Sequence, residues 1–118
     1  MKIVIGGSRT YTDYKAFSEA LDGVLTDIPK NEITILSGHC KVVDAMAERY
    51  AAEHKINLRV YPAEWSIYGR AAGPVRNRRM VENCDLVIAF WDGSSKGTRS
   101  LIDYAIKQGR EVIVIKIF

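Results

Sequence analysis

At 118 residues the chain is long enough to bury a real core without disulfides or metals, and the expectation is one domain spanning residues 1–118. Its composition, 47% hydrophobic and 26% charged, is that of an ordinary globule, which excludes a disordered or fibrous chain. A net charge of +3 is too small to announce a nucleic-acid binder by itself, so any positive potential must come from where the charges lie.

The chain opens MKIVIGGSR, and the apolar run Ile3 to Ile5 is too short for a signal peptide or a membrane span. A cytoplasmic protein with no membrane contact is expected. The run Lys2 to Ile5, closed by Gly6 and Gly7, reads as a buried strand. Tyr14, Phe17, Leu21, Val24 and Leu25 then share one helical stripe, with Thr12 or Asp13 as its cap. EITILSG is the second strand, and Val43, Met46, Ala47, Tyr50 and Ala51 trace a second amphipathic helix. INLRVYP is a third strand, stopped at Pro62.

Residues 63–73 show no clean period, and Gly69 and Gly73 mark turns. A helix is expected over residues 74–83, with Pro74 at its first position, which puts Arg76 at the third and Arg79 one turn along. DLVIAFWD is the fourth strand. Leu101, Ile102, Ala105 and Ile106 line a last helix closed by Gly109, and EVIVIKIF is the fifth strand.

This alternation implies an α/β fold, a Rossmann-like three-layer α/β/α sandwich on a five-stranded, mainly parallel sheet. Ligands of such sheets sit beyond the carboxyl ends of the strands, where helix N-termini converge. Four loops fall on that edge. The first supplies Gly6, Gly7, Ser8 and Arg9, two glycines for close backbone approach with a hydroxyl and a cation. The second supplies Ser37, Gly38, Lys41 and Asp44, where the carboxylate either contacts a sugar hydroxyl or favours the positive end of its own helix. The third supplies Arg76, Asn77 and Arg79, and the fourth Gly93, Ser94, Ser95, Gly97 and Thr98, a nest for a phosphate flanked by Lys96 and Arg99. His39 reads as a solvated loop histidine.

Neither G-x-G-x-x-G nor a P-loop G-K-[ST] is present, and no spacing of metal ligands occurs, so no cofactor and no metal are expected. Cys40 and Cys84 stand apart and are expected reduced, Cys84 in the core. Four arginines fall within residues 70–79. Cations at helix N-termini cost ~0.3–1 kcal/mol per helix end, and an anion in the cleft reverses that sign. Something negative therefore belongs there.

GGSRTYTD, the SG…D that opens the second helix, PAEWSIYGRAAGPVRNRRM and GSSKGTRSLID resemble the YspA-like branch of the SLOG superfamily, across nearly the whole chain. That superfamily is Rossmann-like and includes cytokinin-activating phosphoribohydrolases and the DNA-processing protein DprA. The resemblance implies a module that senses or sequesters a phosphate-bearing nucleoside or an ADP-ribose-like ligand, and a homo-oligomer. Trp65 or Tyr68 would then stack on a base. In the hydrolases an Arg-Lys…Met segment stands where this chain has Arg76, Asn77 and Met80. Gly97 and Thr98 match their glycine–threonine pair, but Leu101 occupies the position of their catalytic glutamate.

An N-glycosidic hydrolase acting on a nucleoside monophosphate is therefore the alternative, with Arg76 and Asp103, or Asp44 or Asp92, as its candidate catalytic groups. Asp103 lies roughly 200° around the helix from the lost glutamate. Relatives also read S-G-G-A-R-G-A-D where this chain has Ser37, Gly38, His39, Cys40, Lys41, Val42, Val43 and Asp44. A third reading, single-stranded DNA binding through Arg70, Arg76, Arg78 and Arg79, is disfavoured by the small net charge.

Overall fold

The computed structural model describes residues 1–40 and 42–118. Lys41, one of the expected cations, lies outside the described residues. Five strands, β1 (Lys2–Gly7), β2 (Thr34–Ser37), β3 (Asn57–Val60), β4 (Leu86–Trp91) and β5 (Glu111–Lys116), pair in the order β3-β2-β1-β4-β5. Every pairing is parallel. The expected "mainly parallel" sheet is thus wholly parallel among the described residues.

Strand burial follows from that order. β1 and β4 occupy the centre, covered on both faces, and so are written as continuous apolar runs: Ile3, Val4, Ile5 and Leu86 to Phe90 are all buried. β3 lies at an edge and is exposed along its whole length.

Helices α1 (Tyr14–Val24) and α2 (Val43–Glu53) cover one face, closing Phe17, Leu21, Met46, Ala47 and Tyr50 onto Ile3, Ile5, Ile88 and Phe90. Helices α4 (Ala72–Glu82) and α5 (Lys96–Lys107) cover the other, closing Met80, Val81, Leu101 and Ala105 onto Val4, Leu36 and Val87. Alternate residues of β1 thus feed two different cores, as the two-residue period of a strand requires. Each such apolar side chain contributes about 1.5–3 kcal/mol when fully buried.

Local signals end the helices where expected. The Asp13 carboxylate accepts from the Ala16 amide at 3.1 Å, so Asp13 caps α1. Gly109 follows α5 with φ +73°; its amide donates to Ile106 and that of Arg110 to Ala105, which is a Schellman closure.

The main departure lies between β3 and α4. A one-turn helix, α3 (Trp65–Tyr68), and a 3₁₀ turn (Gly69–Ala71) occupy the stretch without a period and run directly into α4. Helix α4 therefore begins at Ala72, with Pro74 third and Arg76 fifth. Proline is tolerated there because the first four helical amides have no partner within their helix. No apolar period marks α3 because it is surface structure: Trp65 and Ile67 are 63% and 66% exposed. Arg79 of α4 ties it to the body, through an ion pair with Glu64 just before α3 and a hydrogen bond to the Tyr68 hydroxyl.

Candidate functional site

The strand order reverses between β1 and β4, and a cleft opens beyond their carboxyl ends. The floor is main chain. Gly6 and Gly7 lie within β1, opposite Ala89 and Phe90. A Cβ at Gly7 would meet the Phe90 carbonyl oxygen at 2.8 Å and the Val43 side chain at 2.9 Å, and one at Gly6 would meet Leu101 at 2.8 Å. These glycines let helices and strands close tightly around the floor. Neither has positive φ, in contrast to the freedom the sequence allowed them.

The cleft holds a cavity of about 420 Å³ whose walls include Gly6, Gly7, Arg9, Asp44, Arg76, Asn77, Ser95, Gly97 and Thr98. Two further cavities, of about 570 and 520 Å³, adjoin it; all three share Arg9, Cys40 and Arg76. The structure thus brings Arg9 and Arg76 to one hollow. Neither forms an ion pair with a described carboxylate.

Arg76 is held by two acceptors: its Nε donates to Asn77 Oδ1 at 2.7 Å and its Nη1 to the Gly38 carbonyl. Gly38 is glycine for that purpose, since a Cβ there would lie 2.7 Å from Arg76 Nη1. Behind it, the buried Ser37 hydroxyl donates to Glu48 Oε2 at 2.8 Å and accepts from the His39 amide at 3.1 Å. His39 Nδ1 approaches the same carboxylate at 3.0 Å. Ser37 and Glu48 therefore shape the loop that receives Arg76, and Ser37 lines none of the three cavities. Glu48 carried no signal in the sequence beyond its place within the second helix.

The fourth loop is ordered by its own acid. Asp92 Oδ1 accepts from the amides of Ser94 at 2.9 Å and Ser95 at 2.7 Å, and those bonds hold its carboxyl below the usual carboxylate range. The Ser8 hydroxyl accepts from the Asp92 amide at 3.1 Å, joining the first loop to the fourth. Ser8 itself is buried. Two of the expected nest amides are thus already satisfied. The exposed Gly93, at φ +86°, supplies the turn and stands outside the cavities. What remains open is the first turn of α5. Ser95 occupies the cap position without a side-chain cap bond, the first turn carries no acid, and Gly97 and Thr98 line the main cavity.

Asp44, in the first turn of α2, lines the same cavity and accepts from the Cys40 amide at 2.9 Å. Burial pushes its carboxyl above the ordinary value, against the opposing pull of that amide and of Arg76. Asp103 is 66% exposed, faces Arg99 at 3.7 Å and borders no cavity.

Arg79 is also turned elsewhere. It donates to Glu64 at 3.0 Å and to the Tyr68 hydroxyl at 2.8 Å, and its place in the last turn of α4 suits the helix dipole. Tyr68 is spent on that contact, whereas Trp65 lines the second and third cavities. Cys40 is exposed at the junction of all three, and Cys84 is buried, its thiol raised by burial.

A solved structure, DNA processing protein A (DprA) from Streptococcus pneumoniae, superposes with a TM-score of 0.76 at 21% identity, over 96% of this chain and 49% of that one. The likeness is one of Rossmann-like fold, and this chain spans about half of that protein's length. The Gene 61 protein of Mycobacterium phage D29 is 30% identical over 118 residues, covering 95% of this chain and 94% of its own. The family model for the YspA, cpYpsA-related SLOG family matches residues 1–68. The chain belongs to that SLOG family.

Proposed function

We propose that this chain is a nucleotide-binding module that senses or sequesters a phosphate-bearing nucleoside or an ADP-ribose-like molecule at the carboxyl edge of its sheet. The observation that carries the reading is the convergence of Arg9, Arg76 and the uncapped start of α5 on one cavity of about 420 Å³. Two cations that form no ion pair with a carboxylate among the described residues, and a helix end whose first turn carries no acid, all favour a negative guest. In this reading the phosphate rests on the Gly97 and Thr98 amides between the two guanidinium groups, with Gly6 and Gly7 beneath it. The ribose lies toward Asp44 and Asn77, and the base reaches Trp65. Ser8, Ser37 and Gly38 shape the loops, Ser94 and Ser95 frame the α5 turn, and Arg79 is left out.

The test is calorimetry of the purified chain against a nucleotide panel, with mass spectrometry of small molecules released on heating. Micromolar heats, lost in Arg76→Ala, are expected. Folded protein that carries no ligand and gives no heat with any nucleotide overturns the proposal.

Asp44 supports a second reading, an N-glycosidic hydrolase, because it places inside the cavity a carboxyl whose proton affinity is raised by burial, the direction a general acid requires. Release of free base from a nucleoside monophosphate, abolished by Asp44→Asn, would establish it; no turnover across common nucleotides retires it. No helix among the described residues is long and apolar enough to cross a membrane. A cytoplasmic single-domain protein that assembles with its own copies completes the proposal, and light scattering tests the assembly.

A further inference from the structure

The cavity of about 570 Å³ between α4 and α5 extends beyond the phosphate site just described, toward Arg78, Lys96 and Ser100. It is continuous with that site, sharing Arg9, Arg76, Asn77 and Gly97, so one small molecule can extend through both. Its walls bring together two cations from different helices, Arg78 of α4 and Lys96 of α5. Neither forms an ion pair with a described carboxylate. The Ser100 hydroxyl stands one helical turn beyond Lys96 on the same face, and Trp65 borders the hollow. The nearby acid, Glu82, is engaged by the Tyr104 hydroxyl at 3.0 Å and is not part of the lining.

Two like charges facing one hollow are unfavourable to each other, and the electropositive start of α5 adds to that cost. A second anion relieves all three. Resting on the nucleotide reading above, we propose that this hollow is a second anion subsite, and that the ligand is a nucleotide carrying two phosphate groups. One group sits at Gly97 and Thr98, the other between Arg78 and Lys96, with the base against Trp65. The second phosphate is either next in a 5′ chain or on a separate ribose hydroxyl; the same two cations serve both.

Calorimetry with adenosine 5′-monophosphate, adenosine 5′-diphosphate and adenosine 3′,5′-bisphosphate tests this and separates the two sources. One doubly phosphorylated nucleotide should bind at least about tenfold more tightly than the monophosphate, the scale of one charge-assisted contact. The advantage should disappear in Arg78→Ala/Lys96→Ala. It should persist in Lys15→Ala/Lys107→Ala, which removes the same charge from exposed sites that line none of the cavities. Circular dichroism and the melting temperature show whether the Arg78/Lys96 variant is folded, and the comparison reads the ratio of doubly to singly phosphorylated affinity within each variant. Equal affinities for all three nucleotides, or an advantage that survives loss of Arg78 and Lys96, overturns the second subsite while leaving the nucleotide reading intact. Binding of none of the three overturns the second subsite, while the wider nucleotide panel and the released-ligand analysis above decide the nucleotide reading.

Discussion

The Arg76 guanidinium donates to the Gly38 carbonyl oxygen, bridging α4 and the loop after β2 across the mouth of the cleft. A Cβ on residue 38 would stand 2.7 Å from Nη1 and 2.9 Å from Cζ of that arginine. The obstruction is a flexible side chain, so Gly38→Ala should displace Arg76 at little cost to the fold, within about 0.5 kcal/mol. Nucleotide affinity should fall about tenfold, or ~1.4 kcal/mol. Paired denaturation and calorimetry check both halves.

Gly97 invites the opposite trade. It is the second residue of α5, and a Cβ there would meet nothing within 4 Å. Alanine should stabilise the helix by about 0.5–1 kcal/mol. The added methyl nonetheless narrows the approach to the first-turn amides. Gly97→Ala should raise the melting temperature and weaken phosphate binding, measured by thermal denaturation with and without nucleotide.

Asp92 predicts a pH dependence. Its carboxyl is held below its ordinary value by the Ser94 and Ser95 amides. A group depressed in the folded state contributes its stability above the unfolded value of ~3.9 and loses it as pH falls through the folded value. Asp92→Asn should lower the melting temperature at pH 7, and the gap to the parent should narrow below about pH 4. Thermal denaturation between pH 2 and 7 reads this directly.

The two cysteines should react differently. Cys40 is exposed where the three cavities meet, and Cys84 is buried with a raised thiol. Iodoacetamide should modify Cys40 alone in the folded chain. Nucleotide at ten times its dissociation constant should slow that reaction about tenfold, as expected for occupancy of a single site. Peptide mass mapping identifies the modified position.

The sheet was readable because its inner strands β1, β2 and β4 are apolar runs, and the helices α1, α2 and α5 that follow them carry clear stripes that enter the two cores. Helix α3 was not, because Trp65 and Ile67 face outward and leave no period to detect. Helix α4 starts two residues before the expected position, because it continues directly from the preceding 3₁₀ segment with no side-chain cap, which makes Pro74 its third residue and not its first.

Among site residues, the cations were visible by type and place, but their partners were not. Arg79 meets Glu64, fifteen residues earlier, and no local pattern encodes that pair. Ser37 was spent on Glu48, which only the turn of α2 brings close. In the loop after β2, His39 and Val42 have φ of +52° and +63°, a region that favours glycine. That conformation could not be inferred from the side chains now present.

The floor of the cleft is backbone, cut to size by Gly6 and Gly7, whereas Arg9, Cys40 and Lys96 stand exposed on its rim. Under the nucleotide reading proposed above, the shape of the cleft and the choice of ligand are consequently set by different residues. A rim residue can then be exchanged without disturbing either core, so selectivity would shift by surface substitution while the fold stays intact.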